Sequence, residues 1–289
     1  MLNDINKIAK DTNSYLKKYL KKQEYSGLLK PMGYGLFSGG KKIRSKILID
    51  CGKILNVKYT KLIIIGAAVE CIHAYSLIHD DLPCMDNDSI RRGKPSTHIK
   101  FGESTAILAG NSLLTTAFEI LSDKSFKVDD KIKSNLIHAL SRCSGQIGIA
   151  GGQYLDLSYE KKKVSLQKIL NMELKKTGKL FEFCFASPLI VKKKIKNLSA
   201  FSKLGRDVGL LFQIVDDMID FKSNTKSAGK KTKKDFKRGK ATIISLLGYE
   251  NAVKYTHKLK KNIFTKLKVH SNKANDLRET IEFIIERKK

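Results

Sequence analysis

Residues 62–78, LIIIGAAVECIHAYSLI, constrain the fold more than any other part of the chain. A helix drawn through this segment is apolar on almost every side, and Glu70 and His73 are its main polar interruptions. Such a helix is buried among other helices or lies in a membrane. Because aspartates follow at once, at positions 80, 81, 86 and 88, we predict a buried central helix and no membrane span.

The remainder of the chain predicts further helices. Apolar residues recur at spacings of three and four, for example at positions 204, 208, 211, 212 and 215, and we find no series of alternating strands. The four prolines, at 31, 83, 95 and 188, are each expected where a helix stops or turns. With no repeat and no break in composition, residues 1–289 predict one all-α domain of about ten or more helices.

Composition limits the function classes. The chain is 42% hydrophobic and 29% charged, as in soluble globular proteins. A net charge of +28 invites a nucleic-acid partner, but only eight of the 56 basic residues are arginine and the lysines are scattered. Without a basic face interleaved with aromatic residues, we predict no nucleic-acid binding. The first residues show no signal or transit pattern, which predicts a cytoplasmic protein, and the five scattered cysteines predict reduced core thiols.

Two aspartate clusters are the main candidates for chemistry. The first is HDDLPCMDND at 79–88, and the second lies in LLFQIVDDMIDF at 210–221. At about 100° per helical residue, Asp216 and Asp220 share one face, where two carboxylates repel unless a cation or a basic residue lies between them. Structural salt bridges remain an alternative for the second cluster alone. Two clusters together favour Mg²⁺, which is held by carboxylates and bridges to substrate phosphates.

Basic residues near the first cluster suit phosphate groups. Arg91 and Arg92 follow it directly, and Arg44 lies in SGGKKIRSK after the Gly39–Gly40 pair. Arginine offers a planar fork that matches phosphate oxygens, and glycine amides before a helix can add donors. A flexible turn before a surface helix explains the glycines equally well. His73 alone is more often a core residue, and the pair at 176–177 could be a helix kink at a pocket or polar surface.

Taken together, these segments resemble the trans-isoprenyl diphosphate synthases, and among them the bacterial farnesyl diphosphate synthases most closely. The segments that carry the resemblance are GGKKIR, VECIHAYSLIHDDLPCMDNDSIRRGKPSTHIKFGE, AILAGNSLL, GGQYLDL, KKTGKLF, GLLFQIVDDMIDF and FIIERKK. The resemblance implies the isoprenoid synthase fold, a helical bundle around a central active-site cavity, in a homodimer. It also implies head-to-tail (1′-4) condensation of isopentenyl diphosphate with dimethylallyl and geranyl diphosphate, giving farnesyl diphosphate.

The resemblance also assigns roles to residues. Three Mg²⁺ ions, with Mn²⁺ as an alternative, would bind the aspartates Asp80, Asp81, Asp86, Asp216, Asp217 and Asp220. The diphosphate of isopentenyl diphosphate would be bound by Lys41, Arg44, His73 and Arg92. The allylic diphosphate would be bound by Arg91, Lys176 and either Lys230 or Lys240 of the lysine-rich loop 222–240. Thr177 and Gln213 would stabilise the cation that forms, and the catalytic set would be Asp80, Asp86, Arg91, Lys176, Thr177 and Gln213.

Product length is predicted from Tyr75 and Ser76. Tyr75 lies five residues before Asp80, about 7–8 Å along a helix, so its ring could form a floor after a few isoprene units. Short-chain members of the family carry an aromatic residue there, which predicts a farnesyl product. The alternatives are a geranylgeranyl or geranyl diphosphate synthase, and a non-catalytic synthase subunit, which the two complete aspartate motifs disfavour. A terpene cyclase needs no isopentenyl diphosphate site, so Lys41, Arg44 and His73 argue against it.

Overall fold

The computed structural model describes residues 1–24, 26–226 and 242–287, and the described side chains are those of the same residues without 223–226. These residues form α1 Leu2–Lys21, α2 Leu29–Leu36, α3 Ile43–Ile54, α4 Tyr59–Asp80, β1 Ile90–Arg91, β2 Lys94–Pro95, α5 Thr97–Phe101, α6 Glu103–Ser122, α7 Asp130–Ser144, α8 Ile149–Tyr159, α9 Leu166–Glu173, a π-helical turn Leu174–Gly178, α10 Lys179–Val191, a 3₁₀ turn Ile195–Asn197, α11 Leu198–Lys226, α12 Ile243–Leu247, α13 Tyr249–Leu267, a 3₁₀ turn Lys268–Ala274 and α14 Asn275–Glu286. The all-α class is confirmed, since the described residues contain only one hairpin, formed by two strands of two residues each.

The chain divides into two compact units. The first comprises Met1–His138 and Ser187–Lys194, and the second Ala139–Ala186 and Ile195–Lys289. Two of the three divisions fall inside α7 and α10, and the third lies in the short connection between α10 and the 3₁₀ turn Ile195–Asn197. A single domain over 1–289 remains a prediction.

Helix α4 is the centre of the first unit. It contacts α1, α2, α3 and α6, and Ile63 and Ile65, about 200° apart around its axis, are 7% and 0% exposed. Each such side chain contributes about 1.5–3 kcal/mol of burial free energy. By length and hydropathy α4 could cross a membrane, but 72% of its most apolar stretch is buried inside the fold. The prediction of a buried central helix is confirmed.

Helix α11 has the same role in the second unit. It contacts α9, the π-helical turn, α12, α13 and α14. Its close approach to the π-helical turn depends on glycine, because a Cβ on Gly209 would lie 2.6 Å from the Cα of Gly178. The approach brings Gln213, one turn beyond Gly209, beside Thr177.

The prediction for the prolines is wrong at Pro188, which lies inside α10. Proline there removes one backbone donor, but the surrounding side chains Phe185 and Leu189 are fully buried, and their packing maintains the helix. The cysteine prediction is confirmed at four positions, which are buried: Cys51, Cys71, Cys143 and Cys184. Cys84 is exposed.

Candidate active site

The first aspartate cluster forms a tight turn at the carboxyl end of α4. Asp80 is the last residue of the helix. After Pro83 the chain reverses, so that the backbone N–H of Asp86 donates to the carbonyl of Asp80 at 2.7 Å, and that of Asp88 donates to Asp81 at 3.1 Å. A helix carboxyl end already carries partial negative charge, so carboxylates gathered there are electrostatically unfavourable without a cation. The arrangement is typical of a cation-binding site.

Asp81 is bound by Arg91. Its carboxylate is 2% exposed and accepts from Arg91 Nε at 3.0 and 3.2 Å and from the Nη2 group. Burial raises the pKa of Asp81, and the Arg91 guanidinium opposes that rise. In this structure Asp81 therefore orients an arginine, while its predicted role as a metal ligand remains a prediction.

A hairpin positions both arginines that follow the cluster. The strands β1 and β2 pair antiparallel with Arg91 opposite Lys94, and Arg92 and Gly93 between them have φ of +52° and +74°. Two successive positive φ values define a tight hairpin turn whose twist matches the strands. Arg91 is thereby directed to Asp81, while Arg92 donates to the carbonyl of Gly39.

The glycine pair before α3 accommodates Arg92. Gly40 has φ of +101°, and a Cβ there would lie 2.6 Å from Arg92 Nη1. Any other residue at position 40 would strain the backbone and displace the guanidinium. The structure therefore favours a loop of defined conformation over a flexible turn, and residues 39–42 are called the glycine loop below. Lys41 in this loop is exposed to solvent.

His73 is a neutral partner of Arg44. Arg44 Nη1 lies 3.2 Å from His73 Nε2, and because a guanidinium only donates, Nε2 accepts and the imidazole proton resides on Nδ1. Burial lowers the pKa of His73 well below 6.5, and the charges of Arg44, Arg92 and Lys42 lower it further. His73 therefore offers a hydrogen-bond donor without adding charge at neutral pH.

Glu70 holds the glycine loop through hydrogen bonds and an ion pair, a role that the sequence did not reveal. It is 2% exposed. Its Oε1 accepts from the hydroxyl of Ser45 at 2.9 Å and from the Ser45 backbone N–H at 3.3 Å, and its Oε2 lies 3.4 Å from Lys42 Nζ. Lys42 also donates to the carbonyl of Leu36 at 3.0 Å. The only sequence signal was a glutamate inside a segment that is otherwise apolar.

The second cluster lies on α11 and is oriented by an amide. The hydroxyl of Thr177 donates to Gln213 Oε1 at 2.9 Å, and Gln213 Nε2 donates to Asp217 Oδ1 at 3.0 Å. Thr177 is 5% exposed and lies in the π-helical turn, a distortion that frequently occurs at functional sites. This favours a kink in the helical run over a polar surface for residue 177.

Lys176, the neighbour of Thr177, is held by Asp156. Lys176 Nζ donates to Asp156 Oδ2 at 2.6 Å, and Asp156 is 6% exposed. Gly152 lets α8 approach this turn, because a Cβ there would lie 2.2 Å from the backbone nitrogen of Lys176. The segment GGQYLDL contributed to the family resemblance, but the sequence analysis gave Asp156 within it no role.

Asp216 is bound by an arginine from the carboxyl-terminal segment. Arg287 donates to Asp216 Oδ1 at 2.6 Å and to the carbonyl of Phe212 at 3.1 Å. Its guanidinium stacks on the Phe212 ring, 3.8 Å from the centroid. Asp220 is exposed. A cation therefore already lies against one carboxylate of this cluster.

Tyr75 and Ser76 lie toward the carboxyl end of α4, the helix that ends at Asp80. Tyr75 is 8% exposed, and burial raises the pKa of its hydroxyl to about 12. Ser76 donates from its hydroxyl to the carbonyl of His73 at 3.0 Å. Both belong to the first unit.

The predicted residues therefore form two groups. The first unit holds Lys41, Arg44, His73, Tyr75, Ser76, Asp80, Asp81, Asp86, Arg91 and Arg92. The second holds Lys176, Thr177, Gln213, Asp216, Asp217 and Asp220. Lys230 and Lys240 lie outside the described residues.

The residues present fit Mg²⁺. All six candidate ligands are aspartates, whose hard oxygens suit this ion. In each group an arginine, Arg91 or Arg287, contacts one of the carboxylates, as expected where clustered negative charge requires a cation.

Comparison with known proteins identifies the class. The chain matches the polyprenyl synthetases over residues 26–283, and it belongs to that family. It is 38% identical over 289 residues to the farnesyl diphosphate synthase of Escherichia coli (strain K12), covering 97% of either chain.

Solved structures agree with this assignment. The apo crystal structure of an FPP/GFPP synthase from Zymomonas mobilis has a TM-score of 0.87 at 36% identity, covering 97% of either chain. A geranyltransferase from Helicobacter pylori, complexed with magnesium and isoprenyl diphosphate, has a TM-score of 0.80 at 29% identity, covering 98% of this chain and 96% of that one.

Proposed function

We propose that this protein is a Mg²⁺-dependent prenyltransferase that condenses isopentenyl diphosphate with dimethylallyl and then geranyl diphosphate, releasing farnesyl diphosphate and diphosphate. The observation that carries the proposal is the turn after α4. It gathers Asp80 and Asp86 at a helix carboxyl end, beside two arginines whose positions are fixed by Asp81 and by the Gly39 carbonyl. Carboxylates and guanidinium groups at one place suit a metal-bound diphosphate.

The basic residues divide between two diphosphates. Lys41, Arg44 and Arg92 surround the glycine loop and would bind isopentenyl diphosphate, with neutral His73 adding a donor. Arg91 and Lys176 would bind the allylic diphosphate, to which either Lys230 or Lys240 would add a charge. Because Asp81 and Asp156 already orient Arg91 and Lys176, these cations need little rearrangement to meet the substrate.

The reaction starts when the allylic C–O bond breaks and the electron pair leaves with diphosphate. Mg²⁺, which Asp80, Asp81, Asp86, Asp216, Asp217 and Asp220 would hold, supplies Lewis-acid stabilisation of that leaving group. Arg91 and Lys176 stabilise the same negative charge. The hydroxyl of Thr177 and the amide of Gln213, fixed by their mutual hydrogen bond, present oxygen dipoles to the allylic cation. The double bond of isopentenyl diphosphate attacks the cation, and the proton then lost from the adduct passes to the released diphosphate.

The test is direct. The purified chain is incubated with Mg²⁺, dimethylallyl diphosphate and isopentenyl diphosphate, and the products are sized after removal of the diphosphate. We expect farnesyl diphosphate as the main product and no product when EDTA is present. A mainly longer or shorter product would favour a geranylgeranyl or geranyl diphosphate synthase. Failure to elongate any allylic substrate would contradict the proposal and favour a non-catalytic subunit.

The farnesyl product itself is tested at Tyr75. We expect Tyr75→Ala to shift the main product from 15 to 20 or more carbons, because it removes a ring of six carbons from the end of the chain-binding space. Product lengths are measured by chromatography at equal conversion, with Tyr59→Ala as a control that removes a ring at the opposite, amino end of α4. An unchanged length distribution in Tyr75→Ala would place the floor elsewhere.

We further propose that the active enzyme is a cytoplasmic homodimer of single-domain chains with three Mg²⁺ ions per active site. The homodimer is supported by α6. Residues 104–118 contain no charged side chain, and Ile107 and Leu108 within them are 41% and 52% exposed. An uncharged face with exposed aliphatic residues is unusual in a chain of this composition and suits contact with a second copy. Sedimentation equilibrium measures the mass, and a monomer at all concentrations would contradict this.

A further inference from the structure

Tyr75 is in contact with a second ring on the same helix. The ring centroids of Tyr75 and His79 lie 5.6 Å apart with an interplanar angle of 85°, an edge-to-face arrangement. The two residues are four apart on α4, so they lie on one face of the helix. Such a contact restricts the orientation of both rings.

His79 is in turn attached to the neighbouring helix. Its Nε2 lies 3.1 Å from the backbone carbonyl of Ile107 on α6. A carbonyl only accepts, so Nε2 carries the hydrogen that is donated. The imidazole is therefore fixed in position by a backbone atom, which cannot change rotamer.

Gly110 makes this attachment possible. A Cβ at position 110 would lie 2.2 Å from His79 Nε2 and 2.4 Å from its Cδ2. No side chain can occupy that space while the imidazole remains there. The glycine at this position is therefore explained by the ring that it accommodates and not by its own backbone angles.

We propose that His79 is a positioning residue for product length: held by the Ile107 carbonyl in the space left by Gly110, it fixes the Tyr75 ring as the floor of the chain-binding space. This inference rests on the proposed function, since it requires that Tyr75 ends the growing chain. His79 touches neither diphosphate nor metal in the proposed mechanism. Its effect is on where the chain stops, through the orientation of its neighbour.

The first test is His79→Ala in the full-length chain, assayed with Mg²⁺, dimethylallyl diphosphate and isopentenyl diphosphate. Loss of one edge-to-face ring contact allows the Tyr75 ring to move, and we expect the ratio of 20-carbon to 15-carbon product to rise about two- to tenfold. The substitution at His79 could also disturb the neighbouring Asp80 and lower the overall rate. Because the readout is a product ratio at equal conversion, such a loss of rate does not alter it. An unchanged ratio, with Tyr75→Ala lengthening the product as expected, would overturn the inference and leave the proposed function intact. Absence of any elongation by the unmodified chain would instead defeat the proposed function.

The second test approaches the same ring from α6. Gly110→Ala should displace the imidazole and raise the product ratio, whereas in the His79→Ala background the same substitution should have no further effect, because the group it meets is gone. Equal effects of Gly110→Ala in both backgrounds would overturn the inference. Thermal unfolding of all variants is measured in parallel. A purely structural role for His79 predicts a lower Tm without a change in product ratio, and that result would also count against the inference.

Discussion

Substitution Asp80→Asn is expected to lower kcat by about 10³-fold, the largest single effect at this site. Lewis-acid stabilisation of a leaving phosphate contributes several kcal/mol, and each 1.36 kcal/mol is a factor of ten in rate. Asp80 is the last residue of α4, and its backbone carbonyl accepts a hydrogen bond from the backbone N–H of Asp86. This backbone contact is kept in Asp80→Asn, so the side-chain amide would occupy the position of the carboxylate without its charge. Two quantities are measured. One is kcat at saturating substrates, and the other is the Mg²⁺ affinity, by calorimetry in the presence of a non-hydrolysable diphosphate analogue.

The matched control is Asp88→Asn in the same turn. Asp88 lies 3.8 Å from Arg91 and is outside the predicted metal ligands, so we expect kcat to change less than about threefold. Without metal, the free energy of unfolding of Asp80→Asn should be unchanged or about 0.3–1 kcal/mol higher than that of the unmodified chain. The reason is that the substitution removes a negative charge from the carboxyl end of a helix. Equal losses of kcat in both variants, or a clear loss of stability in Asp80→Asn, would indicate that the turn needs its charges for folding and not for metal.

The helices and the location of the chemistry were predictable from sequence because both have local signatures. An apolar segment that ends in aspartates predicts the buried helix α4 and a cation site at its end, and the pair Gly39–Gly40 marks a special turn. Arg92 shows why glycine is needed there, since its guanidinium occupies the space of a Cβ at Gly40. Arg92 is 52 positions from Gly40 in the sequence, so the residues around Gly40 do not indicate why a glycine is needed there.

The supporting residues were not predictable for the same reason. His79 and Gly110, or Lys176 and Asp156, meet only through the approach of helices distant in sequence. A proline inside α10 also defeats a local rule, because buried packing outweighs one lost backbone hydrogen bond. Local patterns therefore locate the reacting groups, whereas the side chains that orient them become visible only in the folded chain.

Helix α4 combines the roles of core and site. Its apolar residues are buried by four other helices, while Glu70, His73, Tyr75 and Asp80 follow one another along it. A central helix is constrained by packing from all sides and moves little. The residue that anchors the glycine loop and the residues proposed to limit the chain and to bind the metal are consequently kept at fixed spacing by a single rigid element.

The second large effect is expected at Glu70, where Glu70→Gln should lower the free energy of unfolding by about 3–5 kcal/mol, because it leaves the buried ammonium of Lys42 without its charged partner. The same change should raise the KM for isopentenyl diphosphate about tenfold, with a smaller change in kcat. The reason is that Lys42 and Ser45 flank Arg44 and are both held by this carboxylate. Urea unfolding gives the stability, and steady-state kinetics separate KM from kcat.

Two variants distinguish this anchor from an ordinary ion pair. Glu282→Gln breaks the exposed pair with Lys260 and should cost about 0–1 kcal/mol. Adding Lys42→Met to Glu70→Gln removes the second buried charge, so it should restore much of the stability, whereas KM should stay raised because the loop is still without its anchor. A stability loss in Glu70→Gln as small as in Glu282→Gln, or a KM restored together with stability in the double variant, would show that Glu70 contributes to packing alone and does not position the loop.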